Sequence, residues 1–149
     1  MTRWTSKQAR KSTFIPVMRE LVRCYQAFER FDAGQHRGRG LTTPQADVLF
    51  SLGNTSGMTC KELGEKTLIT KGTLTGVLDR LEAKRLIRRR ASDVDRRSTV
   101  IVLTSRGERL FESVYPEHIA VLKSHFDQLS PAELGRAGKM LRRIRCLFE

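Results

Sequence analysis

TCKELGEKTLITKGTLTGVLDRLEAK, residues 59–84, contains two helix starts eleven residues apart. Thr59-Cys60-Lys61-Glu62 has the spacing of a capping box, in which hydroxyl and carboxylate each satisfy an amide of the first turn. It predicts a helix to about Lys66. A turn at residues 67–69 follows, and Thr70 caps a second helix that runs to about Lys84. Leu74, Val77, Leu78 and Leu81 fall on one face of that helix, as a buried side requires. Two such helices joined by a tight turn are a helix-turn-helix.

Directly downstream, residues 86–90 and 99–103 flank a polar stretch. The second run, Thr-Val-Ile-Val-Leu, is β-branched and apolar, so the pair predicts a two-stranded hairpin with a polar tip. Residues 80–97 carry eight cations and three acids, a net +5 in 18 residues. A charge run is usually just a solvated face. On a hairpin following a helix-turn-helix it points instead to DNA, the helix reading the major groove and the tip the minor groove.

The flanks are helical. Phe14, Val17, Met18, Leu21, Tyr25 and Phe28 form a stripe, widened by Ile15, Val22 and Phe31. Pro16 suits a first turn and sets the start near Ile15; the end is expected near Gly34, with residues 34–40 as a linker. A second helix is read as capped by Thr43, with Pro44 first and Ala46, Val48, Leu49 and Leu52 inward. Gly53 to Gly57 closes it as a loop. Beyond the hairpin, Leu110, Phe111, Val114, His118, Val121, Leu122 and Phe126 make a long stripe, which Pro116 should kink or restart. Ser130-Pro131-Ala132-Glu133 opens a last helix, whose Leu134, Ala137, Leu141, Ile144 and Phe148 form a heptad-like seam that needs a partner. Packing of the first and last two helices against a second copy is the preferred answer, ahead of a purely intramolecular core.

Composition bounds the rest. The 149 residues carry 28 Lys+Arg against 16 Asp+Glu, a net +12, and twenty of the cations are Arg, the residue suited to bidentate phosphate and base contacts. The length is that of one domain, and no apolar run approaches the ~18 residues of a membrane span. Cys24, Cys60 and Cys146 are odd in number and lack C-x-x-C spacing, which argues for a reducing, cytoplasmic setting rather than disulfides or a structural zinc site. Residues 1–11 read as a frayed basic tail. G-x-S-x-G, P-loop, H-E-x-x-H and G-x-G-x-x-G are all missing, so neither enzyme activity nor a cofactor is expected.

The ordered combination resembles the MarR-type winged helix-turn-helix regulators. It is carried by Leu41-Thr42-Thr43-Pro44-Gln45, by Met58-Thr59-Cys60-Lys61-Glu62-Leu63, and by Gly72 to Glu82 with Leu86-Ile87-Arg88-Arg89. Asp95-Arg96-Arg97 and Val102-Leu103-Thr104-Ser105-Arg106-Gly107 complete it. The resemblance implies a mainly α (α+β) fold, with a winged helix-turn-helix module at 41–104 and a helical dimerisation region at 12–40 and 105–149. It implies a homodimeric, sequence-specific transcriptional regulator, a repressor on a pseudo-palindromic operator. Thr70, Lys71, Thr73 and Thr75 would face bases or phosphates, Arg80 a phosphate, and Arg96 and Arg97 a minor groove, with Asp79 and Asp95 as wing supports. Gly72 and Gly76 stand where relatives often carry larger side chains, which shifts readout toward threonines and close backbone approach.

The family also implies relief by a small aromatic ligand in a cleft, for which Tyr25, Phe28, Phe50 and His118 are candidates, though each equally suits a core. Other readings are a sequence-nonspecific architectural protein and a cysteine redox-sensing regulator. Against the latter, Cys24 reads as a buried, inert thiol. A metal site is not expected: His118 and His125 are two turns apart, too far to share an ion, and His36 falls in the linker.

Overall fold

Leu74, Val77, Leu78 and Leu81 turn inward from helix α5 (Lys71–Ala83), and three further elements close over them. These are α3 (Thr43–Leu52) with Ala46, Val48, Leu49 and Leu52, α4 (Cys60–Thr67) with Leu63, and a small sheet with Ile87 and Ile101. Burying one such side chain contributes roughly 1.5–3 kcal/mol, so this module carries most of the fold's cohesion. The computed structural model describes residues 4–67, 69–91 and 98–149. The remaining elements are α1 (Ser6–Arg10), α2 (Phe14–Arg37), β1 (Met58–Thr59), β2 (Ile87–Ala91), β3 (Thr99–Leu103), α6 (Ser105–Phe126) and α7 (Pro131–Arg145).

The expected hairpin is present as β2 and β3, antiparallel, with Arg89 opposite Ile101 and Ile87 opposite Leu103. A third strand was not anticipated. Met58 pairs with Ile101 and Thr59 with Val100, so β3 is the centre of the order β1-β3-β2. Two residues are too short to show a period of two, which hides β1 in the sequence.

Several boundaries differ from expectation. The cap of α3 is Thr42, not Thr43: Thr42 Oγ1 accepts from the Gln45 amide and Gln45 Oε1 from the Thr42 amide. Gln45 settles the register, because it is three residues after Thr42, whereas Ala46 three after Thr43 cannot reciprocate. Helix α2 starts at Phe14 and runs through Gly34 to Arg37, since the buried Asp32 and His36 anchor its last turns. Helix α6 passes Pro116 without interruption. The basic N-terminus is not wholly frayed, for Thr5 and Gln8 form a capping box that opens α1. As expected, Ser130, Pro131 and Glu133 start α7.

The end of α5 shapes the wing. Arg85 has φ +58°, and the amides of Arg85 and Leu86 donate to the carbonyls of Glu82 and Leu81. This is a Schellman stop built on Arg rather than Gly. Its return is fixed by Gly107 in the first turn of α6, where a Cβ would collide with the Leu86 carbonyl.

Beyond the first half of α6, whose Phe111 joins this core, the long helices are largely exposed. No residue of α7 is buried, and in α2 only Asp32 and His36 are. Phe14, Val17, Met18, Val22, Tyr25 and Phe28 on α2, Ile119 and Phe126 on α6, and Met140 and Leu141 on α7 are all exposed. Cys24 is exposed with them, contrary to its expected burial, as are Cys60 and Cys146. No helix among the described residues is long and apolar enough to cross a membrane.

Candidate nucleic-acid interface

The N-terminal half of α5 is an open polar surface. Thr70, Lys71, Thr73 and Thr75 are exposed, while Leu74 and Val77 between them hold the helix to the core. Thr70 occupies the cap position but makes no capping bond to the backbone; its hydroxyl donates to Thr73 Oγ1 at 3.0 Å. Thr75 Oγ1 donates to the Lys71 carbonyl at 3.4 Å. The first amides of α5 are therefore left without a side-chain cap, at the positive end of the helix dipole. A Cβ placed on Gly72 or Gly76 would meet nothing within 4 Å, so neither glycine is demanded by internal packing.

Asp79 and Arg80 are exposed one turn further along. Asp79 supports the wing through its strand rather than its tip: its Oδ1 accepts from Arg89 Nη2 at 2.7 Å, and Arg89 Nη1 also pairs with Glu82. The Asp79 bond, with the field of both carboxylates, strengthens the hold on the Arg89 proton and raises its pKa. Lys84 anchors the other end of α5, donating to the Gly40 carbonyl at 2.6 Å and to Gln45 Oε1 at 2.9 Å. Helix α5 is thus tied to β2 on one side and to the α2–α3 loop on the other. Asp95, Arg96 and Arg97 lie outside the described residues.

A second cluster lies where α2, α3 and α6 meet, with little local pattern to announce it. His36 is not in a linker; its ring is buried in the last turn of α2, 4.9 Å from the ring of His118 and 5.5 Å from that of Phe50. Asp32 Oδ1 lies 3.3 Å from His36 Nε2 and 3.7 Å from His118 Nε2. Burial, and the neighbouring His36, push His118 below the usual imidazole pKa, while Asp32 opposes that. Asp47 on α3 is pushed up, first by burial and then by Asp32. Of the four candidates for lining a cleft, Phe50 and His118 are in this cluster. Tyr25 and Phe28 lie on the exposed stripe of α2, Tyr25 donating to Glu29. The Asp32-x-x-x-His36 spacing, one helical turn, was the available signal; the expected end at Gly34 obscured it.

Comparison with known proteins agrees with this architecture. The MarR family model matches residues 39–98. The HTH-type transcriptional regulator MhqR of Bacillus subtilis is 31% identical over 124 residues, which cover 83% of this chain and 86% of that protein. Among solved structures, AbsC of Streptomyces coelicolor, a MarR family transcriptional regulator, superposes with a TM-score of 0.81 at 27% identity, covering 99% of this chain and 98% of AbsC. BpsR of Bordetella bronchiseptica, whose DNA binding is regulated by 6-hydroxynicotinic acid, gives 0.77 at 28% identity, covering 90% of this chain and 96% of BpsR. With its winged module, flanking helices and a relative of this identity aligned over most of both chains, the chain belongs to the MarR family of transcriptional regulators.

Proposed function

We propose that the protein is a homodimeric, sequence-specific repressor that places α5 in a major groove and the β2–β3 wing over the adjacent minor groove. The observation that carries this is the open, uncapped N-terminal half of α5 beside the basic strand β2. Lys71, Thr73 and Thr75 then contact bases or phosphates, Thr70 and Arg80 the backbone, and Arg96 and Arg97 the minor groove, braced by Asp95. Asp79 acts one step back, through Arg89. No catalytic role is assigned.

Surface area supports dimerisation through 12–40 and 105–149. A compact chain of 17.0 kDa exposes roughly 7,700 Å² by the usual scaling. This one exposes 11538 Å². The excess is larger than the roughly 1,000–2,500 Å² that each partner of a permanent homodimer buries, and exposed apolar residues of α2, α6 and α7 are available to supply that area. Two-fold symmetry then asks for a pseudo-palindromic operator with half-sites about one helical turn apart. By analogy with BpsR, a small aromatic ligand entering between arms and module relieves repression.

Operator selection from random DNA, followed by competition against random sequence, tests the reading. A preference of at least about a thousandfold supports a regulator; near-equal binding would make it an architectural protein. Light scattering should give twice 17.0 kDa, and Leu141→Glu on α7 should give the monomer and weaken operator binding.

A further inference from the structure

We propose that Asp32, His36 and His118 form a binding site for a divalent transition metal ion of the zinc class, at the junction of α2 and α6 beneath Phe50. The inference does not rest on the DNA-binding reading. One atom from each residue can be chosen so that the three lie within 4.8 Å of one another. Two of the separations are 3.3 Å and 3.7 Å, both from Asp32 Oδ1 to an imidazole Nε2. A tetrahedral ion with bonds of about 2.0–2.2 Å holds its ligand atoms roughly 3.4 Å apart. The same two separations are longer than an ordinary N–H···O bond. Both carboxylate–imidazole pairs are therefore spaced for a shared ion better than for hydrogen bonding, with the third separation inside the 4.8 Å limit.

Burial adds a second, independent argument. His36 is 2% exposed and Asp32 5%. Both rings turn Nε2, not Nδ1, toward Asp32, so one lone pair from each imidazole faces the carboxylate. Asp32 has no Lys or Arg partner among the described residues, and the nearby Asp47 adds a second acid. A carboxylate taken out of water needs a compensating charge. A metal dication supplies it while using the lone pairs of two imidazoles.

The donor set narrows the ion. Two imidazoles and one carboxylate suit zinc and its first-row neighbours, whereas calcium and magnesium prefer all-oxygen shells. Three protein ligands leave a fourth position for water or a small ligand. His125 is not part of the site, since its ring packs on Phe31 with centroids 4.7 Å apart. An ion here would pin the end of α2 to α6 and press both onto Phe50 of α3, which shares its core with α5.

The test uses the full chain stripped with a chelator and then titrated with Co²⁺ and Zn²⁺. One Co²⁺ per chain, with the visible absorption of a four- or five-coordinate site and displacement by Zn²⁺, is expected. Asp32→Asn and His118→Gln should each weaken binding by at least about a hundredfold, and His125→Gln should leave it unchanged. Imidazole ¹⁵N spectra of the wild-type protein give a readout that needs no variant. Zn²⁺ should move the ring nitrogens of two of the three histidines, and the unmoved pair should be that of His125. No Co²⁺ or Zn²⁺ uptake at micromolar concentration, uptake that persists in folded His118→Gln, or a shift centred on His125 would each overturn the proposal.

Discussion

Arg89 of β2 and Asp79 of α5 are joined at 2.7 Å, so one guanidinium links helix α5 to the wing strand. Glu82 takes the other arm of the same fork. Both carboxylates are substantially exposed and the Arg89 side chain is 33% exposed. Ion pairs in such settings contribute about 0–1 kcal/mol. Asp79→Asn and Arg89→Ala should therefore shift unfolding by no more than about 1 kcal/mol. Operator affinity should fall several-fold in both, and Arg89→Lys should not rescue it, because an ammonium cannot hold two carboxylates in the same planar geometry. Thermal unfolding and fluorescence anisotropy on the same samples check this. A loss of affinity that merely tracked a loss of stability would reduce the clamp to an ordinary surface pair.

Gly72 and Gly76 separate stability from recognition. Helix-interior glycine costs about 1 kcal/mol relative to alanine, and a Cβ at either position meets nothing within 4 Å. Gly76→Ala should stabilise the protein by about 0.5–1 kcal/mol, and Gly72→Ala, in the first turn of α5, by less. Where DNA approaches the helix backbone, the same methyl group should weaken operator binding. Chemical denaturation and DNA titration of the two variants give both numbers.

Salt dependence identifies the wing contacts. Arg97→Ala should reduce the slope of log affinity against log salt by about one, as each cation–phosphate contact releases about one counterion. Thr73→Ala should leave the slope alone and alter the ranking of operator variants. If Arg97→Ala changed neither affinity nor slope, the wing tip would not touch DNA.

Acid should loosen the helix-turn-helix at a defined place. The Glu62 carboxylate accepts from the Thr59 amide at 2.7 Å and its hydroxyl at 2.8 Å, and the amide bond, followed by the hydroxyl, lowers its pKa. A carboxyl with a depressed folded-state pKa contributes stability above its unfolded value, about 4.3, and loses it as pH falls through the folded value. Melting temperatures of wild type and Glu62→Gln should therefore differ above about pH 5 and converge toward about pH 3. A constant gap across that range would mean the charge of Glu62 plays no part in the cap.

How much of this could be read from the sequence depended on range. Thr59-x-x-Glu62 and Ser130-x-x-Glu133 announce themselves because both partners of each cap lie within one turn. The inner face of α5 was legible because its period repeats for three turns. Thr42 was passed over for Thr43, since the decision rests with a Gln45 side chain that serves either neighbour in a one-dimensional reading. Strand β1 depends on a pairing partner forty-odd residues away. The Asp32–His36–His118 triad needed two facts no local pattern holds, that α2 continues past Gly34 and that α6 lies against its end. Local chemistry marked the two helices of the helix-turn-helix; tertiary packing made the buried cluster.

Pro116 divides the mechanics of α6 without breaking it. Having no amide hydrogen, it leaves the Glu112 carbonyl without its partner one turn on. Ahead of that gap Gly107, Phe111 and Val114 are buried in the winged module; behind it Ile119 and Phe126 are exposed on the arm. Amide protons on the two sides should then exchange with solvent as separate cooperative units. Those before Pro116 would report global unfolding, and those after it the parting of two subunits. One helix would thus serve as an internal gauge of both equilibria.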